Sequence, residues 1–184
     1  MKKLSRNSLI ILILISLFFL ISCSFDESDF SDLSMKNLPD EISDSVRIVA
    51  TNFNKTDYIL DAVHIERFYD SKITKADTIF VQTFDINGQL KSTLYSDKAD
   101  MDEISNILVA ESNVKIESDN GTLLTQYLTW DRSTDKIYAK GKVTIIRNEN
   151  VLKGYELYTD INLDKLDLIN VTAEGKLDNE SLNW

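Results

Sequence analysis

Apolar and polar side chains alternate along most of the chain from Ser45 onwards. The segments VRIVATNF, YILDAVHIERFY and DTIFVQTFDI are rich in Val, Ile, Thr, Phe and Tyr, and they are bounded by Asn, Asp, Lys and Gly. This period of two predicts β-strands, because successive side chains of a strand point to opposite faces. Asn87-Gly88 and Asn120-Gly121 each fall between two such segments, and this dipeptide is typical of tight hairpin turns.

The second half of the chain repeats with a period of 29 residues. Segments beginning at Ser92, Gly121 and Asn150 align without a gap. A period of this length that holds two short strands and two turns predicts stacked β-hairpins. Residues 97–110 alone have a helix-like composition, but their aligned copies favour strand, turn and strand. The aligned columns are Ala99, Leu128 and Leu157; Asp102, Asp131 and Asp160; Leu108, Ile137 and Leu166; and Ala110, Ala139 and Leu168.

The alternation assigns one side-chain set to a buried face. One buried and one solvated face are typical of antiparallel sheets, and two such faces closing on each other give a sandwich or jelly roll. The set mixes small and large residues. Taken alone, this mixture favours an ordinary interlocked core, and the alternative is a slot between sheets that would accept hydrocarbon. The predicted slot residues are Tyr95, Ala99, Met101, Leu108, Ala110, Val114, Ile116, Leu124, Leu128, Trp130, Ile137, Ala139, Val143, Ile145, Tyr155, Leu157, Leu166 and Leu168.

The N-terminus has the pattern of a secretory signal. Lys2, Lys3 and Arg6 precede residues 9–21, of which 12 of 13 are apolar. The tetrapeptide that ends at Cys23 resembles the bacterial lipobox, which implies that this thiol carries a diacylglycerol and becomes the new N-terminus. The alternative is an uncleaved membrane helix, although 13 residues span only about 20 Å of a hydrocarbon core of about 30 Å.

These patterns divide the chain into four parts. We expect a lipoprotein signal peptide over residues 1–22, an acidic flexible tether over 23–44, a β domain over 45–178 and a short tail over 179–184. Without residues 1–22 the chain keeps 17 Lys and Arg against 30 Asp and Glu, a net charge of −13. This charge disfavours nucleic acid and anionic membrane surfaces as partners.

Little in the sequence indicates catalysis or metal binding. A single cysteine excludes an internal disulfide and a cysteine-based zinc site. The single histidine, His64, lies near Asp61 and Glu66, where a surface or cross-strand position is expected. Most carboxylates fall at predicted turns or on polar strand positions. We therefore predict a protein that is not an enzyme, with no cofactor and no metal site.

Several stretches together resemble the LptC family of lipopolysaccharide export. They are FVQTFDINGQLKSTLYSDKADMD, NVKIESDNGTLLTQYLTWDRSTDKIYAKGKVTI and LKGYELYTD. The resemblance covers approximately residues 45–177 and implies an incomplete antiparallel β-jelly roll, open at both edges. It also implies that the chain receives lipopolysaccharide from the inner-membrane ABC transporter LptBFG and passes it to a periplasmic bridge protein similar to LptA. The acyl chains would lie in the slot, with the sugar phosphates outside it. LptC of enteric bacteria keeps its membrane helix, whereas this chain resembles a lipoprotein.

Open edges would recruit strands of those partners. The transporter would meet the first strand, and the bridge protein would meet the last. Charged Asp167, Glu174 and Lys176 have an alternative role, which is to protect the last edge from pairing. The family role favours a periplasm-facing lipoprotein of the inner membrane over one of the outer membrane, and the alternative function is a lipoprotein β-sandwich that binds a protein without carrying lipid. The predicted edge residues are Val46, Ile48, Ala50, Asp167, Ile169, Val171 and Ala173.

Overall fold

The computed structural model of the protein describes residues 38–148 and 150–174. Cys23, the predicted signal peptide, most of the predicted tether and the tail over 179–184 lie outside these residues. Apart from Leu38, the described residues belong to one compact unit that begins at Pro39. In this part of the chain, no helix is long and apolar enough to cross a lipid bilayer.

The described residues form ten antiparallel strands in one sheet. Strands β1 to β8 follow each other in sequence and in space, and two short strands, β9 and β10, both pair with β8. The sheet does not close into a barrel, and the prediction of an all-β antiparallel fold like a jelly roll is confirmed. The strands are β1 (Glu41–Asn52), β2 (Lys55–Phe68), β3 (Ile73–Phe84), β4 (Leu90–Asp102), β5 (Ile107–Ser118), β6 (Gly121–Asp131), β7 (Lys136–Arg147), β8 (Asn150–Thr159), β9 (Asp167–Ile169) and β10 (Thr172–Glu174).

The sheet coils so that strands distant in its order meet. The guanidinium of Arg132, just after β6, lies over the ring of Tyr58 in β2 at 4.4 Å. The Ser118 hydroxyl at the end of β5 donates to the backbone oxygen of Asn162, after β8, at 2.6 Å. One hydrophobic cluster draws buried side chains from β2 to β8 and from the segment that follows β8. The sheet therefore encloses its own core, as two packed sheets do in a sandwich.

The 29-residue repeat is present in the backbone. β4 with β5, and β6 with β7, form the first two repeated hairpins, and β8 pairs with β9 in the third. Ser112, Gly141 and Asn170, spaced by 29 residues, have positive φ angles of 64°, 86° and 53°. The first two lie at register shifts between paired strands, which are β-bulges. Because a bulge adds one residue to a strand, it exchanges the faces on which later side chains lie.

These bulges overturn three of the predicted inward positions. Leu124 is 37% exposed and Tyr155 is 55% exposed, whereas Leu123 is fully buried. Tyr95 is half-buried on the face opposite Leu94, and its hydroxyl donates to Asp97 Oδ1 at 3.0 Å. The prediction that Leu124, Tyr155 and Tyr95 lie on the buried face is wrong, because a shift in register separates each of them from buried residues of the same strand.

The repeated aspartates form the turns between strands. Asp102 Oδ1 accepts from the Ile104 backbone N–H at 2.8 Å, and Asp131 Oδ1 accepts from that of Ser133 at 2.9 Å. Asp160 makes the equivalent contact with Asn162 at 3.0 Å. Hydrogen bonds from the Ser105 side chain and nearby amides hold the pKa of Asp102 below its ordinary value. The Thr134 hydroxyl, followed by backbone amides, does the same for the pKa of Asp131. This column is therefore explained by turn formation.

Strand β1 begins earlier than the predicted domain boundary at residue 45. Glu41, its first residue, accepts from Arg67 Nη1 at 3.1 Å and from the Tyr69 hydroxyl at 2.7 Å. Asp44 Oδ1 lies 2.6 Å from His64 Nδ1, so His64 has the expected cross-strand position. Glu41 and Asp44, which fall within the predicted tether, therefore lie in β1 and pair with side chains of β2.

Candidate lipid-binding site

One row of inward side chains crosses almost the whole sheet. In its N-terminal part Ala76, Ala99 and Ala110 are direct neighbours on β3, β4 and β5. In its C-terminal part Leu128, Ala139 and Leu157 alternate large and small. Three adjacent alanines leave space above the sheet that alternating leucines would fill. The residues of this row, in order across the strands, are Ile65, Ala76, Ala99, Ala110, Leu128, Ala139, Leu157 and Leu168.

A cavity of about 380 Å³ lies above Ala76 and Ala99. This volume is within the usual range for small-molecule sites, and most of the wall is apolar. Arg67 and Arg132 are half-buried and Glu103 is exposed, so the cavity opens to solvent where these charged groups lie. The lining residues are Ile48, Tyr58, Leu60, Ile65, Arg67, Thr74, Ala76, Ile79, Val81, Ala99, Met101, Glu103, Asn106, Leu108, Trp130 and Arg132.

The interior of the C-terminal half is filled by its own side chains. Ile161 and Leu163, from the segment between β8 and β9, are 3% and 0% exposed within the core cluster. The backbone of this segment is held across the sheet, since Arg147 Nη2 donates to the Leu163 oxygen at 2.7 Å. Asn120 Nδ2 also donates to the backbone oxygen of Asn162, at 3.1 Å. These hydrogen bonds hold the backbone of the segment while its two buried side chains belong to the core cluster.

The predicted slot residues divide into groups. Met101, Leu166 and Leu168 pack partly buried against the core, and Tyr95, Leu124 and Tyr155 lie outside it as described above. The cavity is lined by four predicted residues, namely Ala99, Met101, Leu108 and Trp130. The rest pack against protein atoms, and lipid contact by any of these residues stays a prediction. The buried group comprises Ala99, Leu108, Ala110, Val114, Ile116, Leu128, Trp130, Ile137, Ala139, Val143, Ile145 and Leu157.

Much of the cavity wall comes from β2 and β3, which the predicted slot did not include. Tyr58, Leu60, Ile65, Ile79 and Val81 all line it. The signal was present in the alternation of YILDAVHIERFY and DTIFVQTFDI, which already predicted these strands. The slot residues are predicted from the 29-residue repeat, and this repeat covers only the second half of the chain.

A second cavity, of about 230 Å³, lies next to the first and shares Tyr58, Trp130 and Arg132 with it. Asp57, Lys91 and Asp135 make its wall more polar. Trp130 Nε1 donates to Asp135 Oδ1 at 3.1 Å. Burial raises the pKa of Asp135, and the hydrogen bond from Trp130 and the charge of Lys91 oppose that increase. The three shared residues form the partition between the two cavities.

Both predicted edge regions lie at the borders of the sheet. Val46 and Ile48 of β1 pack partly buried against the core, while Ala50 is half-buried. At the other border Asp167 is exposed and Ile169 is 40% exposed in β9. Val171 falls between the two short strands, and Ala173 lies in β10. Among the described strands none pairs with the outer side of β1, β9 or β10, and recruitment of partners there stays a prediction.

Several charged groups of the described region form ion pairs, and His64 is one of them. His64 lies between Asp44 and Glu66, whose Oε1 is 3.7 Å from His64 Nε2. Its pKa is raised chiefly by the hydrogen bond to Asp44. Within residues 38–148 and 150–174, no group of three or more His, Cys, Asp or Glu side chains could hold a metal ion.

Comparison with known families connects this fold to one function. The family model described as "Lipopolysaccharide-assembly, LptC-related" matches residues 8–174, which is most of the chain. The chain belongs to the LptC family. No curated protein matches it at a significant level. The family match confirms the resemblance found in the sequence, and it gives the chain a role in lipopolysaccharide transport in the cell envelope.

Proposed function

We propose that this LptC-family protein is a membrane-anchored lipid carrier of the periplasm. It would receive lipopolysaccharide from the inner-membrane transporter LptBFG and pass it to an LptA-like bridge protein. The observation that carries this proposal is an apolar cavity of about 380 Å³, open to solvent, inside a sheet with two unpaired borders among its described strands. No catalytic step is required for this role.

The cavity would hold acyl chains by the hydrophobic effect. Each CH₂ group removed from water contributes about 0.8 kcal/mol, so several methylenes of one chain bind without a strong polar site. The formal net charge of the full sequence is −10, which opposes deep entry of anionic groups. The sugars and phosphates of the lipid would therefore remain at or beyond the cavity opening.

The two borders of the sheet would bind the two protein partners by strand addition. An unpaired strand offers a row of backbone donors and acceptors that another strand can complete. In this proposal β1, with Val46, Ile48 and Ala50, meets the transporter. The border formed by β9 and β10 meets the bridge protein.

Cys23 would supply the membrane anchor. A single acyl chain binds a bilayer only reversibly, so the two or three chains of a bacterial lipoprotein would be needed for stable attachment. We propose the inner membrane, because the donor transporter lies there. A variant that combines Cys23→Ala with a secretory signal that is cleaved without lipidation should be released from membranes, which fractionation of cells would measure.

Photo-crosslinking in cells tests the cavity directly. Benzoylphenylalanine would replace Met101 on the cavity wall and, as the matched control, Phe80 on the outer face. The proposal expects labelled lipopolysaccharide to crosslink at position 101 and not at position 80. Equal labelling at both positions, or none at either, would contradict binding in the cavity.

A truncation tests the last border separately. A chain that ends at Leu166 lacks β9 and β10, which both pair with β8 outside the cavity. It should retain crosslinking at position 101 and lose capture of a purified LptA-like protein. If capture is unchanged, the bridge protein does not bind at this border.

The alternative is an envelope lipoprotein that binds a protein partner without carrying lipid. It is favoured by the C-terminal half, whose core is filled by Ile161, Leu163 and neighbouring leucines. In this case the partner should still be captured by the full chain, while no lipid crosslinks at Met101. The two experiments above therefore distinguish the functions.

A further inference from the structure

The partition between the two cavities contains an arginine in an unusual setting. The Arg132 guanidinium lies 4.4 Å from the ring centre of Tyr58 and 5.8 Å from that of Trp130. Its Nη1 is 3.9 Å from the Met101 sulfur, which is a weak acceptor. Aromatic and sulfur groups therefore surround a half-buried cation.

No carboxylate forms an ion pair with Arg132 among the described residues, although the sequence contains 30 acidic residues. The other described arginines have strong oxygen partners. Arg47 pairs with Asp61 at 2.6 Å, and Arg67 pairs with Glu41 at 3.1 Å. Arg147 donates to two backbone oxygens, of Asn120 and Leu163. Among the described arginines, Arg132 is therefore the one whose side-chain N–H groups have no oxygen acceptor.

A guanidinium held by its flat face keeps its N–H edge for an anion. Stacking on aromatic rings uses the face, whereas two parallel N–H groups match the geometry of phosphate. Arg132 also lines the apolar cavity, so an anion that it binds would be close to an apolar body in that cavity. On the other side of the partition, Asp57 and Asp135 would repel an anion. The arrangement therefore suits an amphiphile with an apolar tail and one anionic group.

We propose that Arg132 is a specificity-determining residue that binds a phosphate group of the lipid whose acyl chain occupies the first cavity. This inference rests on the proposed carrier function and adds to it the part of the ligand that is recognised. The exposed carboxylate of Glu103, on the same cavity, disfavours a second phosphate nearby. One phosphate at the opening is compatible with the acidic charge of the rest of the protein.

Fluorescence of Trp130 gives a direct test. The full-length chain carrying Trp184→Phe, with Trp130 as its only tryptophan, would be titrated with phosphatidylcholine vesicles containing either phosphorylated lipid A or lipid A stripped of its phosphates. With Arg132 unchanged, the protein should bind phosphorylated lipid A about tenfold more tightly than stripped lipid A. A difference of this size is a common effect of one hydrogen-bonded ion pair. Arg132→Met, which keeps the stem against both rings, should reduce the ratio of the two affinities from about tenfold to about one. Arg47→Met makes the same charge change at an exposed site paired with Asp61 and should retain the preference.

Each other outcome is decisive. If Arg132→Met lowers the affinity for both lipids equally, or if it still prefers the phosphorylated lipid, the inference is overturned while the carrier function remains intact. Binding of neither lipid by the parent protein would contradict the carrier function itself. A response to millimolar inorganic phosphate alone would indicate a free-phosphate site instead of a lipid site. If Arg132→Met does not fold, Arg132→Lys keeps the charge without the fork, and it should reduce the preference several-fold; an unchanged preference would overturn the assignment.

Discussion

The N-terminal strands β1 to β4 and the C-terminal strands β5 to β8 share antiparallel pairing, but they enclose different interiors. In the first region the alanines of β3 and β4 lie side by side below a cavity of about 380 Å³. In the second, Ala139 lies between Leu128 and Leu157, and Ile161 and Leu163 complete the core.

This difference shows that similar strand pairing permits either a filled or an open interior. Both regions also contain strand residues with positive φ angles, for example Thr78 in β3 and Gly141 in β7. The choice between filling and opening depends on which side chains become neighbours across strands. Alanine in place of leucine in one row across the strands can therefore leave the interior of such a module open.

Substituting one leucine by alanine in each region should give the largest difference in the free energy of unfolding. Leu128→Ala removes a fully buried side chain from a filled core and should lower the free energy of unfolding by about 2–5 kcal/mol. Leu60→Ala removes a partly buried side chain that already borders empty space, so a loss of about 1–2 kcal/mol is expected. Urea unfolding of the full chain measures both, and equal losses would show that the regions are equally filled.

Enlarging alanine is the reverse test. Ala139→Leu should cost about 1–3 kcal/mol, because the residue is fully buried between leucines. Ala99→Leu should extend into the cavity and change the free energy of unfolding by less than about 0.5 kcal/mol. It should also abolish lipid crosslinking at Met101. A large destabilisation by Ala99→Leu would mean that the space above it is not available.

The first border of the sheet should respond to pH through His64. Its pKa is raised, first by the hydrogen bond to Asp44 and also by Glu66, so protonated His64 stabilises the pairing of β1 with β2. This contribution is complete below the unfolded pKa of about 6.5 and is lost as pH rises through the folded pKa. The melting temperature of wild type should exceed that of His64→Gln at pH 5.5 and approach it at pH 8.5. Asp44→Asn should remove the same dependence, and a difference that grows with pH would contradict the assigned direction. Asp77 lies opposite His64 on β3.

The smallest effect on stability is expected for the turn aspartates, which also serve as a control for the comparison of the two regions. Asp102→Ala and Asp131→Ala each remove an acceptor of backbone N–H groups, so each should lower the melting temperature by a few degrees at pH 7. The pKa of both carboxylates is depressed in the folded state. Their contribution is therefore present above an unfolded pKa of about 3.9 and is lost as pH falls through the lower folded value. Thermal unfolding should show similar losses in the two modules, and a large disparity would place part of the regional difference in the turns.

The sequence predicted the strands and turns well because their signals are local. Alternation indicated the strands, and the column of Asp102, Asp131 and Asp160 marked their ends. The bulges were missed since Ser112 carries no strong signal for a positive φ angle, and this reversed the face of Leu124. The cavity depends on the register that makes Ala76 and Ala99 neighbours, which no single segment contains.

Ile161 and Leu163 have a consequence for movement of cargo through the domain. Withdrawing both side chains from the interior would cost about 3–6 kcal/mol, if each loses the usual benefit of full burial. While they stay in place, the part of the interior that they occupy is closed to lipid. In the proposed transfer, lipid that crosses this part of the interior towards β9 and β10 would have to displace both side chains.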